Sequence, residues 1–281
     1  MSPDIRDQGN SAEGSETYIH DYDSPIAKKR MAGRTAAREA AFFLPYLQSG
    51  MKLLDSGCGL GTITIGLAKA VAPGEVVGFD IETSQVDIAR SKAAELGLTN
   101  LRFQIGNAYE LAFAGNTFDA VFAHALLEHL RHPVKALKEM DRVLKTGGIV
   151  GVRFPDFTGL LIAPSNPVLD TALELYYKFR QYNGGNPYIG RHLRALLRKA
   201  GFRDTKASAF YDYGGTTEAT RSFADVVSSE LAGPKIVEQA TQLGWADKSQ
   251  FEKTLKAVKQ WGEHPDSFYA HAWCEAVGWK K

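Results

Sequence analysis

Two acids stand where short apolar runs end. Asp55 closes Met51-Lys52-Leu53-Leu54, and Asp80 closes Val76-Val77-Gly78-Phe79. Between them lies Ser56-Gly57-Cys58-Gly59-Leu60-Gly61-Thr62, with a glycine at every second position. Glycines at a strand-to-helix turn adopt backbone angles that other residues avoid, and they let a ligand approach the main-chain amides. An acid at the end of the next strand, about twenty residues on, can accept the hydroxyls of a ribose. The chemistry indicated is the binding of a nucleoside. The dinucleotide fingerprint G-x-G-x-x-G needs a glycine at position 62, where Thr62 stands, so a nicotinamide dehydrogenase fits worst.

Two histidines flank the end of a later apolar run, His124 and His129 in Phe122-Ala123-His124-Ala125-Leu126-Leu127-Glu128-His129. Imidazole titrates near neutrality and is suited to moving a proton. The competing readings are that His129 caps or packs a short helix and that His124 only touches the ligand. Arg153 and Asp156 follow the fifth apolar run, at a mouth position where polar groups orient a substrate; a solvated salt link is the equal alternative. Tyr176, Tyr177, Phe179, Tyr182, Phe210, Tyr211 and Tyr213 form an aromatic-rich set suited to a planar ligand, although core packing accounts for most such residues. Among these, Tyr176, Tyr177 and Tyr211 are taken as substrate contacts. Cys58 and Cys274 have no Cys or His at ligand spacing, so no metal site is expected.

These residues need a scaffold, and the elements around them alternate. Residues 51–57 read as a strand and 62–71 as a helix stopped at Pro73-Gly74; 75–80 read as a strand and 84–97 as a helix ending at Gly97. Strands follow at 101–108 and 118–124, then an amphipathic helix opened by Pro133 and closed before Gly147-Gly148, then a fifth strand at 148–154. That alternation predicts an α/β fold with a Rossmann-like, doubly wound sheet. The chain from Tyr18 to Tyr46 reads as helical, on the spacing of Ala36, Ala40, Phe43 and Leu44. Beyond 157, helices are expected at 165–182, at 187–200 and over most of 216–264, with strands at 202–213 and 267–279. The organisation expected is an amino-terminal tail and helical lid (1–47), a core (48–156), and the rest of the core (157–281) with cap insertions near 157–186 and 214–264.

Bulk properties narrow the function. The 281 residues carry 33 Lys and Arg against 32 Asp and Glu, a formal net charge of +1. No field of one sign gathers nucleic acid or an anionic membrane, and no apolar run is long enough to span a bilayer. A cytoplasmic protein with reduced thiols and a small-molecule partner is expected.

The block from Asp55 to Phe154 resembles the core of the class I S-adenosylmethionine-dependent methyltransferases. The stretches Val121–Leu130 (VFAHALLEHL) and Arg142–Gly148 (RVLKTGG) resemble the ubiquinone-biosynthesis-like and natural-product branches. The resemblance implies a seven-stranded sheet, mostly parallel, with its last strand antiparallel. It implies that the 55–61 loop, with Asp55, Gly57, Cys58 and Gly59, holds the methionine of S-adenosylmethionine. Asp80 would take the ribose and Ile81 would pack on the adenine. Asn107, where an acid is usual, and Ala108 would meet the adenine edge; Ala123 and His124 would line the sulfonium side. Tyr18 and Tyr22 resemble an amino-terminal tyrosine motif that closes over the methionine carboxylate, and Tyr18 is also taken as a substrate contact. The implied activity is in-line transfer of a methyl group to oxygen, nitrogen or carbon of a small acceptor, leaving S-adenosylhomocysteine, with His124 or His129 as base where one is needed. The Asn/Asp-Pro-Pro-Tyr/Phe motif of base and glutamine methylators is absent after strand four. The alternatives are a non-catalytic scaffold of the same fold, or another reaction using the same cofactor.

Overall fold

A computed structural model describes residues 24–281. Five strands alternate with helices through the first half: β1 (Leu53–Ser56), α3 (Thr62–Val71), β2 (Val76–Asp80), α4 (Thr83–Glu95), β3 (Leu101–Ile105), β4 (Phe118–His124), α5 (Pro133–Val143) and β5 (Leu144–Ala163). Preceding them are α1 (Pro25–Ala32) and a single turn, α2 (Ala36–Glu39). The second half adds α6 (Pro167–Tyr182), α7 (Leu193–Ala200), β6 (Arg203–Gly214), α8 (Thr217–Leu231), α9 (Pro234–Gln242), α10 (Lys248–Gly262) and β7 (Phe268–Trp279).

The seven strands form one sheet in the order β3-β2-β1-β4-β5-β7-β6. The first five pair in parallel, while β7 is antiparallel to both of its neighbours, β5 and β6. β7 alone therefore runs against the rest, as expected. One face packs Leu53, Ala120, Phe122 and Ile149 against α2, α3 and α4; the other packs Leu54, Val121, Val150 and Val152 against α5 and α7. Side chains alternate across a pleated sheet, so odd and even positions of one strand serve different layers.

Three expectations need correction. The chain before β1 is not one helix: α1 ends at Gly33, α2 is a single turn, and a short 3-10 turn follows at Leu44–Tyr46. Ala36, Ala40 and Phe43 are nevertheless buried; the chain bends between them to follow the sheet instead of a helical axis. The fifth strand does not stop near 154. It runs to Ala163, because its far half pairs with Phe268, Tyr269 and Ala270 of β7 beyond a register shift between Asp156 and Leu161. The segment expected to open the cap is thus strand as far as Ala163.

The cap consists of α6, α8, α9 and α10, which bury their own apolar clusters: Leu169, Ala224, Val258 and Trp261; Phe179, Ile236, Ala240 and Phe251; and Ala172, Tyr176 and Leu231. Among the described residues no helix is long and apolar enough to cross a membrane.

Candidate active site

The carboxyl ends of β1, β2 and β4 meet at the glycine-rich turn. Gly57, Gly59 and Gly61 have φ of 77°, 49° and 71°, all left-handed. A side chain on Gly61 would place its Cβ 2.6 Å from Phe103, so this glycine lets α3 start against the sheet. Asp80 ties the turn to its own strand: Oδ2 accepts from the Gly59 amide (2.8 Å) and Oδ1 from the Glu82 amide (3.1 Å). The Ile81 amide also donates to this carboxylate, which still keeps a lone pair for a ligand. Desolvation by burial raises the pKa of Asp80, and its amide hydrogen bonds oppose that shift. Ile81, 45% exposed, stands beside it at the strand end.

The other expected cofactor residues sort by burial. Asp55 is buried, accepts from the Thr64 hydroxyl (2.6 Å), and is pushed up to about 7 by burial. It braces the first turn of α3. The Cys58 thiol is buried, and burial raises its pKa. Asn107 turns its Oδ1 onto the Tyr109 amide (2.9 Å), leaving that oxygen one lone pair. Ala108 and Ala123 belong to the α5/α7 layer of the core, so Ala123 offers a ligand only its main chain. Tyr18 and Tyr22 lie outside the described residues. A glycine-rich main chain without Cβ atoms, a ribose-type carboxylate and an exposed aliphatic side chain nonetheless fit S-adenosylmethionine: one anionic acceptor for hydroxyls, close main-chain approach for the amino acid, and an apolar edge for the base.

Arg153 and Asp156 do not share a mouth. Three residues apart on β5, they point to opposite faces. Arg153, fully buried, sits in the strand-to-strand row His124–Arg153–Glu275–Ser208. It is hydrogen-bonded to Glu39 of α2 and lies 3.3 Å from Glu275 Oε1 and 3.4 Å from Asp212 Oδ1. Asp156 faces the other layer, where Arg191 clamps both its oxygens at 2.6 Å. Tyr211 pairs with Ala272 and shares the face of Asp156, 42% exposed; it is turned away from the groups around His124.

His124 is buried, stacked on Trp273 (ring centroids 5.0 Å apart, planes at 12°), with Nε2 3.2 Å from Arg153. Burial, with Arg34 and Arg30 adding to it, holds its pKa well below the ordinary histidine value, so the imidazole is neutral. His129 Nε2 lies 3.6 Å from Glu128 Oε1.

Four residues that the spacing arguments missed complete the arrangement: Glu128, Arg180, Glu230 and His271. Glu128 stands in the 3-10 turn Leu127–His129, directly after Ala125, whose φ of 51° is left-handed for a residue with a Cβ. That strained corner sits beside the cofactor loop, since a Cβ on Gly57 would lie 3.2 Å from Leu126. Glu128 is buried, its Oε2 has no hydrogen-bond partner, and burial raises its pKa to about 7 against the opposing pull of Arg180, Arg34 and Arg30. From the cap, Arg180 and Tyr176 enter the same region, and Tyr177 donates its hydroxyl to the Phe157 carbonyl (3.1 Å). One signal was available: Arg180 follows Leu169, Ala172 and Tyr176 at helical spacing on the buried stripe of α6, where a cation is out of place.

Residues 47–181 match the family described as a methyltransferase domain. The chain is 31% identical, over 95% of its own length and 98% of the other's, to an Aspergillus luteorubrus protein described as a probable methyltransferase, ltbC. It is 38% identical over 134 residues to the demethylmenaquinone methyltransferase of Staphylococcus aureus, covering 47% of this chain and 52% of that one. The fold is also that of phosphoethanolamine N-methyltransferase 2 of Haemonchus contortus, solved with S-adenosyl-L-methionine, with a TM-score of 0.59 at 18% identity over 94% of this chain and 60% of that chain.

Proposed function

The chain belongs to the class I S-adenosylmethionine-dependent methyltransferases, and from that premise we propose that it methylates an oxygen, nitrogen or carbon of a small biosynthetic acceptor held between the lid and the cap. The observation that carries the reading is Asp80, held at the cofactor turn by the Gly59, Glu82 and Ile81 amides with a lone pair to spare. When bound, S-adenosylmethionine supplies an electrophilic methyl carbon on a good leaving group, so the chain is left mainly with alignment. Asp80 binds the ribose hydroxyls, the main chain of the 57–61 loop lies along the methionine, Ile81 covers the adenine, and Asn107 accepts from its edge.

Glu128 takes up the acceptor's proton as the new bond forms. Its orphan Oε2 and a pKa near 7 suit a base working at neutral pH. His124 serves instead as a neutral wall, because Arg153 occupies its Nε2 side. His129 sits behind Glu128 and orients it. Water is kept out by α1, which is strapped to α8 through Arg30 and Glu230 (3.0 Å) and through Ser24 and Ser229 (3.3 Å).

The test is calorimetric titration with S-adenosylmethionine and S-adenosylhomocysteine, repeated on Asp80→Ala and Asp80→Asn. Micromolar binding that weakens at least about tenfold in Asp80→Ala is expected, since hydrogen bonds to a charged group contribute about 1.5–3 kcal/mol each. No binding of either ligand to the folded protein would leave the non-catalytic scaffold as the better reading.

A further inference from the structure

The polar groups between lid, cap and sheet do not balance one another. Arg180 is only 6% exposed, yet among the described residues no carboxylate forms an ion pair with it, although Glu230 and Glu128 lie within electrostatic reach. Its Nη2 donates to the Tyr176 hydroxyl (2.5 Å), while Nε and Nη1 have no hydrogen-bond partner. The guanidinium lies over the rings of Phe157 (4.9 Å) and Tyr176 (4.8 Å), which hold it in place without neutralising it. An unpaired buried donor costs about 1–3 kcal/mol, and a buried charge costs more.

The neighbouring acids do not fill the gap. Glu230 is engaged by Arg30 (3.0 Å) and by the Tyr176 hydroxyl. Glu128 keeps Oε2 unpartnered, and its pKa of about 7 leaves it only partly ionised at neutrality. Arg34 adds a third positive charge within electrostatic reach of Glu128. His271 presents an unpartnered, buried Nε2, its ring 4.9 Å from Phe157, and burial lowers its pKa to about 4, so it is neutral. Among the described residues, Glu230 is taken up by Arg30, which leaves Arg180 facing only the partly ionised Glu128, in a setting lined by Phe157, Tyr176, Tyr177 and Trp273.

We propose that Arg180 is the specificity-determining residue of this site and that the acceptor is a planar organic anion, carrying a carboxylate or a ring oxyanion that takes the guanidinium nitrogens left unpaired. The assignment of that anion as a methyl acceptor rests on the methyltransferase reading; the anion site does not. Arg180 leaves α6 one turn after Tyr176, and the main chain locks its position. The Arg180 carbonyl accepts from the Gly185 amide (2.9 Å) and the Glu128 carbonyl from the Asn186 amide (3.0 Å), so the cap's cation and the turn carrying Glu128 are held together. Flat rings stack between the aromatic walls while the charged end accepts from Arg180 and, in the tautomer that carries its proton on Nε2, from His271. A neutral analogue leaves the guanidinium unpaired and is rejected.

The experiment titrates the full-length protein by calorimetry, with and without saturating S-adenosylhomocysteine. The probes are 4-hydroxybenzoate and 1-hydroxy-2-naphthoate, their methyl esters, and 1-naphthol. Acids are expected to bind at least about tenfold more tightly than their esters. The preference should vanish in Arg180→Gln and fall several-fold in Arg180→Lys, which keeps the charge but not the planar fork. Strong 1-naphthol binding that also depends on Arg180 would identify the ring oxyanion as the ligand; binding confined to the acids identifies the carboxylate. Equal affinity for acids and esters, with 1-naphthol binding that does not depend on Arg180, overturns the proposal, as does an acid preference unchanged in Arg180→Gln or no anion binding by a protein that takes up S-adenosylhomocysteine. If circular dichroism shows Arg180→Gln unfolded, an unchanged ratio in Arg180→Lys is decisive in the same sense. Anion selectivity without S-adenosylhomocysteine uptake would remove the methyltransferase reading and leave the anion site standing.

Discussion

At the scale of single residues, the environment assigns the roles more than the residue type does. Histidine is the usual base near neutrality, but His124 is held neutral and packed on Trp273, while burial moves the carboxyl of Glu128 into the working range. If Glu128 is the base, kcat/KM rises as pH passes through about 7 and then levels, because only the ionised carboxylate accepts a proton. Glu128→Gln should lose that rise and about 10²–10⁴ of the rate; a variant that keeps the wild-type pH profile would return the role to a histidine. The sequence pattern found Asp80 because a carboxylate after an apolar strand is conspicuous. It passed over Glu128 because an acid beside a histidine in a short turn looks ordinary until its burial is known.

At the scale of elements, close packing explains why the cofactor turn tolerates little change. Gly61→Ala forces a Cβ to 2.6 Å from Phe103 and 2.9 Å from Ala89 at a left-handed φ. The variant should lose on the order of 1–3 kcal/mol in urea unfolding and bind S-adenosylhomocysteine more weakly, whereas Gly97→Ala, whose Cβ meets nothing within 4 Å, should lose stability with cofactor affinity intact. The strap between α1 and α8 belongs to the same scale. Arg30→Ala removes the ion pair to Glu230 and should raise the acceptor KM more than it changes cofactor affinity, measured by steady-state kinetics and calorimetry. Strands β1 to β4 and helices α3 to α5 were legible because each buries a regular period of apolar residues. The run before β1 was misread for a physical reason: Ala36, Ala40 and Phe43 keep helical spacing and are buried, but the chain follows the sheet rather than a helical axis, with Glu39 turned inward to Arg153.

At the scale of the whole molecule, two buried acids couple stability to pH. Asp55 and Glu128 have pKa values raised by burial to about 7, above their unfolded values, so the native state binds more protons between about pH 4 and 7. Their contribution is fully present below that window and is lost as pH rises through it. Buried His124 and His271, whose pKa values burial lowers, act in the opposite sense below about pH 6.5, so the acid's share is read by comparison. In urea unfolding the wild type should lose stability relative to Asp55→Asn between about pH 5 and 8, and an equal slope in the variant would remove Asp55 from the account. The amino-acid sequence by itself determined the doubly wound sheet and the cofactor turn, because both follow from local periodicity and from glycines and acids at strand ends; the antiparallel last strand was implied by the family resemblance. Only the tertiary structure decided that Arg153 and Asp156 part to opposite faces, that Tyr211 turns away, and that Glu128, Arg180 and His271 converge. These residues come from a turn, a cap helix and the last strand, and burial, not spacing, sets the charge and the hydrogen-bonding capacity each one keeps.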